Sequence, residues 1–202
     1  MKNEIIAIIG LGYVGLPLAV EFGKKIKTIG YDIDRKRIEE LKKKYDKTKE
    51  IQKKQFQLAN KLSLTSNKKN LIDATVFIIT VPTPVDNKNN PDLKFLKRAL
   101  KTTAQFLDKN SLVIIESTVY PGLTEEFCVP LLEKESGLYL NTDFLVDTGQ
   151  GYSRHNSYHT GGSNHQFIVN ATGSTTNTVA LAINKDANAT FAGGVTATGN
   201  YT

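Results

Sequence analysis

The feature that most constrains the fold is an apolar run that ends in three glycines near the start of the chain. Residues 5–9 read Ile-Ile-Ala-Ile-Ile, and Gly10, Gly12 and Gly15 follow with the spacing G-x-G-x-x-G. The β-branched residues predict a strand that is buried on both faces of a parallel sheet. In such a motif the glycines allow a sharp turn, a close approach of a pyrophosphate to the backbone, and packing of the next helix on the strand.

The residues that follow place this motif in a dinucleotide-binding unit. A helix is predicted to begin near Tyr13, so that its free N–H groups and the positive end of its dipole face the phosphates. A second predicted strand, 28–32, ends in Asp32, where an acid binds the hydroxyls of the adenosine ribose. The alternative is a glycine-rich turn without a ligand, and the strand, helix and acid around the motif argue against it.

Apolar strands alternate with amphipathic helices as far as about residue 144. Further strands are predicted at 62–65, 75–81 and 112–117, and helices at 35–45, at 51–60, from about 91 onwards and at 122–135. Residues 138–144 are expected to supply the next strand. This alternation predicts an α/β fold with a right-handed, doubly wound parallel sheet, a Rossmann fold.

The carboxyl ends of the strands in such a sheet form the ligand-binding edge. This edge should carry residues 10–14, Asp32, residues 81–84 and residues 116–120. Thr83 and Thr118 can offer hydroxyl groups to a cofactor there. Turn chemistry is the alternative for each threonine taken alone, but their positions at two strand ends of one sheet favour contact with a cofactor.

The composition argues against several classes of protein. Cys128 is the single cysteine of the 202 residues, which excludes an internal disulfide and is consistent with a cytoplasmic location. We expect no signal peptide, and no segment has the apolar length of a membrane span. The net charge is +6, but lysines and arginines alternate with acids along 35–42. This pattern indicates a solvated helix face, so no nucleic-acid partner is predicted.

The composition changes after residue 144. Residues 145–202 are rich in Gly, Thr and Asn, and their two acidic and two basic residues balance. We therefore predict two parts: a nucleotide-binding domain at 1–144 and a β-rich or partly disordered segment of unrelated origin at 145–202, with strands at 166–171, 179–184 and 189–197. Residues 182–193 weakly resemble β repeats of phage tail fibres.

All three histidines lie in this second part, and they raise the question of a metal site. They are His155, His159 and His165. No cysteine, aspartate or glutamate lies at a ligand spacing from them, which favours polar loop residues. No metal is predicted.

Four motifs in the first part carry a family resemblance. Residues 9–19 read Ile-Gly-Leu-Gly-Tyr-Val-Gly-Leu-Pro-Leu-Ala, 31–34 read Tyr-Asp-Ile-Asp, 79–84 read Ile-Thr-Val-Pro-Thr-Pro, and 116–122 read Glu-Ser-Thr-Val-Tyr-Pro-Gly. With these motifs in this order, about residues 3–144 resemble the amino-terminal domain of the UDP-glucose/GDP-mannose dehydrogenase family. The resemblance is greatest to the branch that oxidises UDP-N-acetylhexosamines to uronic acids for bacterial surface polysaccharides.

The resemblance implies an NAD-dependent oxidoreductase and a set of cofactor contacts. It implies contacts from Tyr13, Val14, Asp32, Thr83 and Thr118, and it places Arg37 beside the adenosine. With the motif glycines, the candidate cofactor-binding residues are Gly10, Gly12, Tyr13, Val14, Gly15, Asp32, Arg37, Thr83 and Thr118.

The resemblance also implies the reaction. The family oxidises the C6 alcohol of the sugar twice and reduces two NAD, with the second step passing through a thiohemiacetal and a thioester on a cysteine. That cysteine belongs to a later motif that this sequence does not contain. Cys128 is predicted to be a buried helix residue, since no His or Lys is placed to activate it. We therefore predict no catalytic residue in the 202 residues.

The predicted function is thus the NAD-binding domain of a nucleotide-sugar dehydrogenase, truncated and inactive on its own, with a UDP-sugar as substrate and homo-oligomers as the assembly. A different class of function stays open. In that alternative, the chain is a binding or structural chimera whose dinucleotide domain is vestigial and whose tail drives assembly. Trimerisation would favour this alternative, whereas UDP-sugar-dependent formation of NADH would exclude it.

Overall fold

The computed structural model describes residues 4–85, 91–117 and 119–147, together with the backbone of four strands beyond residue 164. Contacts between Cα atoms divide the chain into two units, Met1–Val146 and Asp147–Thr202, which are described separately below. Among the helices of the described residues, none has the length and apolar character needed to cross a membrane.

The first unit is built on a six-stranded sheet with the order β3-β2-β1-β4-β5-β6. The strands are β1 Ile6–Ile9, β2 Thr28–Tyr31, β3 Leu62–Thr65, β4 Val76–Ile79, β5 Ser111–Ile115 and β6 Phe144–Asp147. Every pairing from β3 to β5 is parallel. The sheet reverses its order at β1, next to β4, so the predicted doubly wound Rossmann fold is confirmed.

Within the described residues, five α-helices connect these strands. They are α1 Gly15–Gly23, α2 Arg35–Lys42, α3 Lys53–Leu58, α4 Lys94–Ala104 and α5 Val129–Ser136, with a short 3₁₀ helix at Lys68–Leu71. The regular part of α1 begins at Gly15, slightly later than the predicted start near Tyr13. Helix α2 ends at Lys42 instead of Tyr45, because Lys44 adopts a left-handed conformation with φ of 58°.

Two predicted elements near the end of this unit differ from the structure. The helix predicted at 122–135 opens as a π-helical turn, Thr124–Cys128, in which the Val129 N–H reaches the carbonyl oxygen of Thr124. Pro130 has no N–H to donate, which accounts for the wider turn before it. The strand predicted at 138–144 begins only at Phe144, because the Asp143 carboxylate accepts the Tyr139 N–H at 3.0 Å and closes a turn.

The core of this unit lies on both sides of the central strands. All four residues of β1 and of β4 are buried, as are all five of β5. Phe77 of β4 and Leu96 and Leu100 of α4 are fully buried in one apolar cluster. This double burial is the reason that the strands read as continuous apolar runs, and it holds the strand ends in fixed positions.

The second unit contains a four-stranded antiparallel sheet with the order β10-β9-β8-β7. Its strands are β7 His165–Val169, β8 Thr178–Ile183, β9 Ala189–Phe191 and β10 Val195–Ala197. The single strand predicted at 189–197 is wrong, because β9 and β10 pair with each other and Val195 lies opposite Phe191. The intervening sequence is Ala-Gly-Gly, which is typical of hairpin turns. His155, His159 and the side chain of His165 lie outside the described residues.

Candidate functional site

A cleft with a volume of about 360 Å³ lies at the carboxyl ends of the strands in the first unit. Its lining comes from the glycine turn after β1, the segment after β2, Arg37 of α2 with the Lys47-Thr48 segment that follows this helix, the Val81-Pro82 segment after β4, and α4. This is the edge at which open α/β sheets bind ligands, and the volume is in the range of small-molecule sites.

Backbone contacts hold the glycine turn tightly against the sheet. Gly10 has φ of 98°, its N–H donates to the Tyr31 carbonyl at 2.8 Å, and its own carbonyl accepts from Thr80 Oγ1 at 2.8 Å. A Cβ at Gly15 would overlap that same carbonyl oxygen and the Thr80 hydroxyl. A Cβ at Gly12 would meet no heavy atom within 4 Å. Gly15 therefore serves packing, whereas Gly12 leaves open space beside the backbone.

Asp32 joins the end of β2 to this turn. Its carboxylate accepts the Leu11 N–H at 2.8 Å through Oδ2 and the Asp34 N–H at 2.9 Å through Oδ1. Each carboxylate oxygen can accept more than one hydrogen bond, and Asp32 lines the cleft. The geometry thus leaves acceptor capacity for hydroxyl groups of a ligand.

Arg37 lies in the first turn of α2, and its side chain contacts the glycine turn from the side opposite to Asp32. Its Nε donates to the Leu11 carbonyl at 3.0 Å, and its Nη2 pairs with Asp46 Oδ1 at 2.8 Å. The residue is only 3% exposed and lines the cleft. Its Nη1 is buried without a partner among the described residues.

Asp46 is a buried acid in the segment between the helices predicted at 35–45 and 51–60. It accepts the Thr48 hydroxyl at 2.7 Å and the N–H groups of Thr48, Glu50 and Ile51 at 2.9–3.1 Å. Burial works to raise its pKa, but the hydrogen bonds from Thr48 and Arg37 outweigh burial and hold the pKa below its usual value. An Asp whose side chain binds the backbone two residues later is a recognisable turn signal.

Some of the predicted cofactor-binding residues line the cleft, and others do not. Gly10, Gly12, Asp32 and Arg37 are in its lining, whereas Gly15 and Thr83 are not. Tyr13 and Val14 also lie outside the lining, with 69% and 51% of their surface exposed at the start of α1. Thr118 lies outside the described residues. Its neighbour Ser117 joins the ends of β4 and β5, donating to the Val81 carbonyl at 2.7 Å.

One face of α4 contributes lining residues that the sequence analysis missed. Phe95, Arg98 and Thr102 line the cleft and recur at the spacing of one helix face, and Phe95 is 49% exposed. Burial raises the pKa of Tyr31 in the same cleft, and the Arg98 cation partly offsets that rise. A large aromatic residue on the polar side of an amphipathic helix was the available signal.

The described residues offer neither a metal site nor an activated nucleophile. No group of three or more His, Cys, Asp or Glu among them could hold a metal ion. Cys128 is fully buried, and burial, together with the charge of Glu125, raises its pKa to about 12. The thiol is therefore protonated and inaccessible at neutral pH, in agreement with its predicted place in the core.

Comparison with known proteins identifies relatives of the first unit. The sequence model described as "UDP-glucose/GDP-mannose dehydrogenase family, NAD binding domain" matches residues 4–157, a range that runs past residue 144. A UDP-N-acetyl-D-glucosamine 6-dehydrogenase of Pseudomonas aeruginosa is 51% identical over 153 residues, which are 76% of this chain and 35% of that protein. A UDP-N-acetyl-D-mannosamine dehydrogenase of Pyrococcus horikoshii is 40% identical over 149 residues, which are 70% of this chain and 34% of that protein.

Solved structures agree with these sequence matches. The structure of the Pyrococcus horikoshii UDP-D-ManNAc dehydrogenase superposes with a TM-score of 0.66 at 39% identity, covering 70% of this chain and 35% of that one. The UDP-N-acetyl-mannosamine dehydrogenase Cap5O of Staphylococcus aureus gives a TM-score of 0.64 at 28% identity. The chain thus spans about a third of the length of the relatives that it matches.

Proposed function

The chain belongs to the UDP-glucose/GDP-mannose dehydrogenase family, and from this premise we propose that its cleft binds NAD for the oxidation of a UDP-N-acetylhexosamine to the uronic acid. Residues 4–157 match the family's NAD-binding domain. One observation carries the proposal for this chain: the open backbone at Gly12 and the carboxylate of Asp32 lie in one cleft. A dinucleotide needs both, one for its diphosphate and one for its ribose.

The proposed contacts follow from the geometry of the glycine turn. The pyrophosphate would lie beside Gly12, where the N–H groups at the start of α1, including those of Tyr13 and Val14, have no partner inside the helix. Asp32 would accept the hydroxyls of the adenosine ribose. Arg37 would lie beside the adenosine, since it lines the cleft.

The remaining contacts are proposed from position in the sequence motifs. Thr83 and Thr118 would offer hydroxyl groups near the ends of β4 and β5. Gly10 and Gly15 would act indirectly, through the turn and the packing that place Gly12. When bound, NAD supplies the acceptor for hydride from the sugar alcohol, and the residues of this chain bind and orient it.

The substrate class rests on the named activities of the relatives. The matches at 51% and 48% identity are named UDP-N-acetyl-D-glucosamine 6-dehydrogenase, and those at 40% and 36% are named UDP-N-acetyl-D-mannosamine dehydrogenase. We propose a UDP-N-acetylhexosamine as the substrate, a role in making surface polysaccharide, and a homo-oligomer in the cytoplasm. None of the relatives named here supports the alternative of a non-enzymatic chimera that assembles through its tail.

The proposal is tested by calorimetric titration of the chain with NAD and with NADP. We expect NAD to bind more tightly, because the Asp32 carboxylate accepts ribose hydroxyls and repels a 2′-phosphate. Lys47 and Arg98 also line the cleft, so the charges nearby do not all favour this result. Tighter binding of NADP would refute the role of Asp32, and binding of neither cofactor would refute the proposed function.

A further inference from the structure

The backbone of Leu11 is held by a side chain at each of its polar atoms. Its N–H donates to Asp32 Oδ2 at 2.8 Å, and its carbonyl accepts from Arg37 Nε at 3.0 Å. Arg37 is 3% exposed and Asp32 half-buried. Both hydrogen bonds are charge-assisted, and such bonds are stronger than those between neutral groups. The bond to Asp32 holds the peptide between Gly10 and Leu11, and the bond to Arg37 fixes the orientation of the peptide between Leu11 and Gly12.

This orientation determines where the next donor points. In a planar trans peptide, the N–H of one residue points opposite to the carbonyl of the residue before it. Because the Leu11 carbonyl points at Arg37, the Gly12 N–H points away from Arg37. No described residue accepts a hydrogen bond from this N–H, and the space beside Gly12 is open.

Arg37 is itself held in place by Asp46. The side chains of Arg37 and Asp46 are 4% and 1% exposed, and Nη2 lies 2.8 Å from Oδ1. Thr48 adds a hydrogen bond from its hydroxyl to the same carboxylate oxygen at 2.7 Å. Asp46 is not in the lining of the cleft. Arg37 and Thr48, which both bind Asp46, do line it, and Arg37 is the one that contacts the Leu11 carbonyl. Any influence of Asp46 on the orientation of the peptide between Leu11 and Gly12 therefore passes through Arg37.

We propose that Asp46 is a positioning residue, which acts through Arg37 and the Leu11 carbonyl to orient the Gly12 N–H toward the pyrophosphate of the cofactor. The inference rests on the proposed binding of NAD in this cleft. A donor that already points toward the ligand does not have to be reoriented when the ligand binds, so it increases the affinity for the diphosphate. The adenosine would lie beside the Arg37 side chain but would not bind the Gly12 N–H, so it should gain little from the preset donor.

The experiment compares two ligands that differ in the diphosphate. ADP-ribose carries the diphosphate and adenosine lacks it, and both are titrated into the full chain while the amide signal of Gly12 is followed by NMR. In an Asp46→Asn variant, we expect the affinity for ADP-ribose to fall about tenfold, the effect of a weakened hydrogen bond to a charged group. The affinity for adenosine should change less than about twofold. The Gly12 amide signal of the free chain should also shift.

Matched variants separate positioning from a general loss of structure. Glu135→Gln also removes an ion-paired carboxylate, in the pair that Glu135 forms with Lys101 at 2.8 Å, and should leave both affinities unchanged. Thr48→Ala removes the hydroxyl that donates to Asp46 and accepts from Arg37 Nη2 but keeps the ion pair, so it should show a smaller loss with the same preference for ADP-ribose. Thr48 also lines the cleft, and a direct contact of its side chain with the adenosine would instead lower the affinity for both ligands. This variant also decides the question if Asp46→Asn does not fold.

The outcomes distinguish this inference from the proposed function. If the unchanged chain binds no ADP-ribose, the proposed function fails, and the inference fails with it. If the unchanged chain binds ADP-ribose but the Asp46 and Thr48 variants lose affinity for both ligands equally, or for neither, then the positioning role is wrong while NAD binding stands.

Discussion

The structure assigns different tasks to two glycines of one motif, and a pair of alanine substitutions separates them. A Cβ at Gly15 would overlap the Gly10 carbonyl oxygen and the Thr80 hydroxyl, so either the turn or α1 would have to move. A Cβ at Gly12 meets nothing within 4 Å, and Gly12 has no left-handed φ that would strain an alanine. The same substitution should therefore affect stability at one position and ligand binding at the other.

The size of each effect follows from these contacts. For Gly15→Ala, overpacking costs about 1–3 kcal/mol, and loss of the hydrogen bond from Thr80 to Gly10 costs about 1 kcal/mol more. We expect the free energy of unfolding to fall by about 2–4 kcal/mol. For Gly12→Ala, the unfolded chain loses entropy, so stability should stay unchanged or rise by up to about 1 kcal/mol. The new methyl group occupies the space proposed for the pyrophosphate, so NAD affinity should fall at least about tenfold.

Urea unfolding followed by far-ultraviolet circular dichroism measures the stabilities, and calorimetric titration measures the affinity of Gly12→Ala for NAD. Equal destabilisation by the two substitutions would refute the separation of tasks. Gly12→Ala that binds NAD as tightly as the unchanged chain would refute the placement of the pyrophosphate, even if the stabilities behave as expected.

Three further predictions concern the ribose contact, the cysteine and turnover. Asp32→Ala should weaken NAD binding by about 1.5–3 kcal/mol through lost charge-assisted hydrogen bonds. Calorimetric titration measures this loss, with Asp34→Ala as the comparison. Unchanged affinity in Asp32→Ala would assign the ribose contact to Asp34 instead. Because burial raises the pKa of Cys128 to about 12, an alkylating reagent should label it, by mass spectrometry, only after unfolding in urea; labelling of the native chain would contradict its burial. The 202-residue chain should form no NADH from NAD and UDP-N-acetylglucosamine. A steady rise in absorbance at 340 nm that is lost in Cys128→Ser would overturn this expectation.

The sequence was sufficient for the central strands of the sheet because every residue of β1, β2, β4 and β5 is buried. Leu62–Thr65 forms β3 as predicted, and β4 and β5 differ from the predicted strands only at their ends. Errors occurred where a local contact overrides the apolar pattern. Pro130 widens the helix before it, and Asp143 closes a turn where a strand was expected.

Residues of the candidate site were predictable where their position at the end of a strand determines their role. They were missed where the role depends on a contact between separate segments of the chain. Asp32 follows from its place at the end of β2. The partnership of Arg37 with Asp46 does not, because it depends on how the loop after α2 folds back on the helix. Phe95 was missed for a related reason: an apolar residue opposite the core face of α4 has meaning only once the helix is known to border the cleft.

From the arrangement of polar groups along the cleft, we expect a dinucleotide to bind it better than a simple anion. The polar backbone atoms of Gly10 and Leu11 are satisfied within the protein, by Tyr31, Thr80, Asp32 and Arg37. The groups left to face a ligand at the turn are therefore N–H donors, which suit a diphosphate. The Asp32 carboxylate next to them repels an anion and accepts hydroxyls. A ligand that presents a diphosphate followed by a ribose satisfies both, whereas free phosphate would meet the donors and the repulsion together.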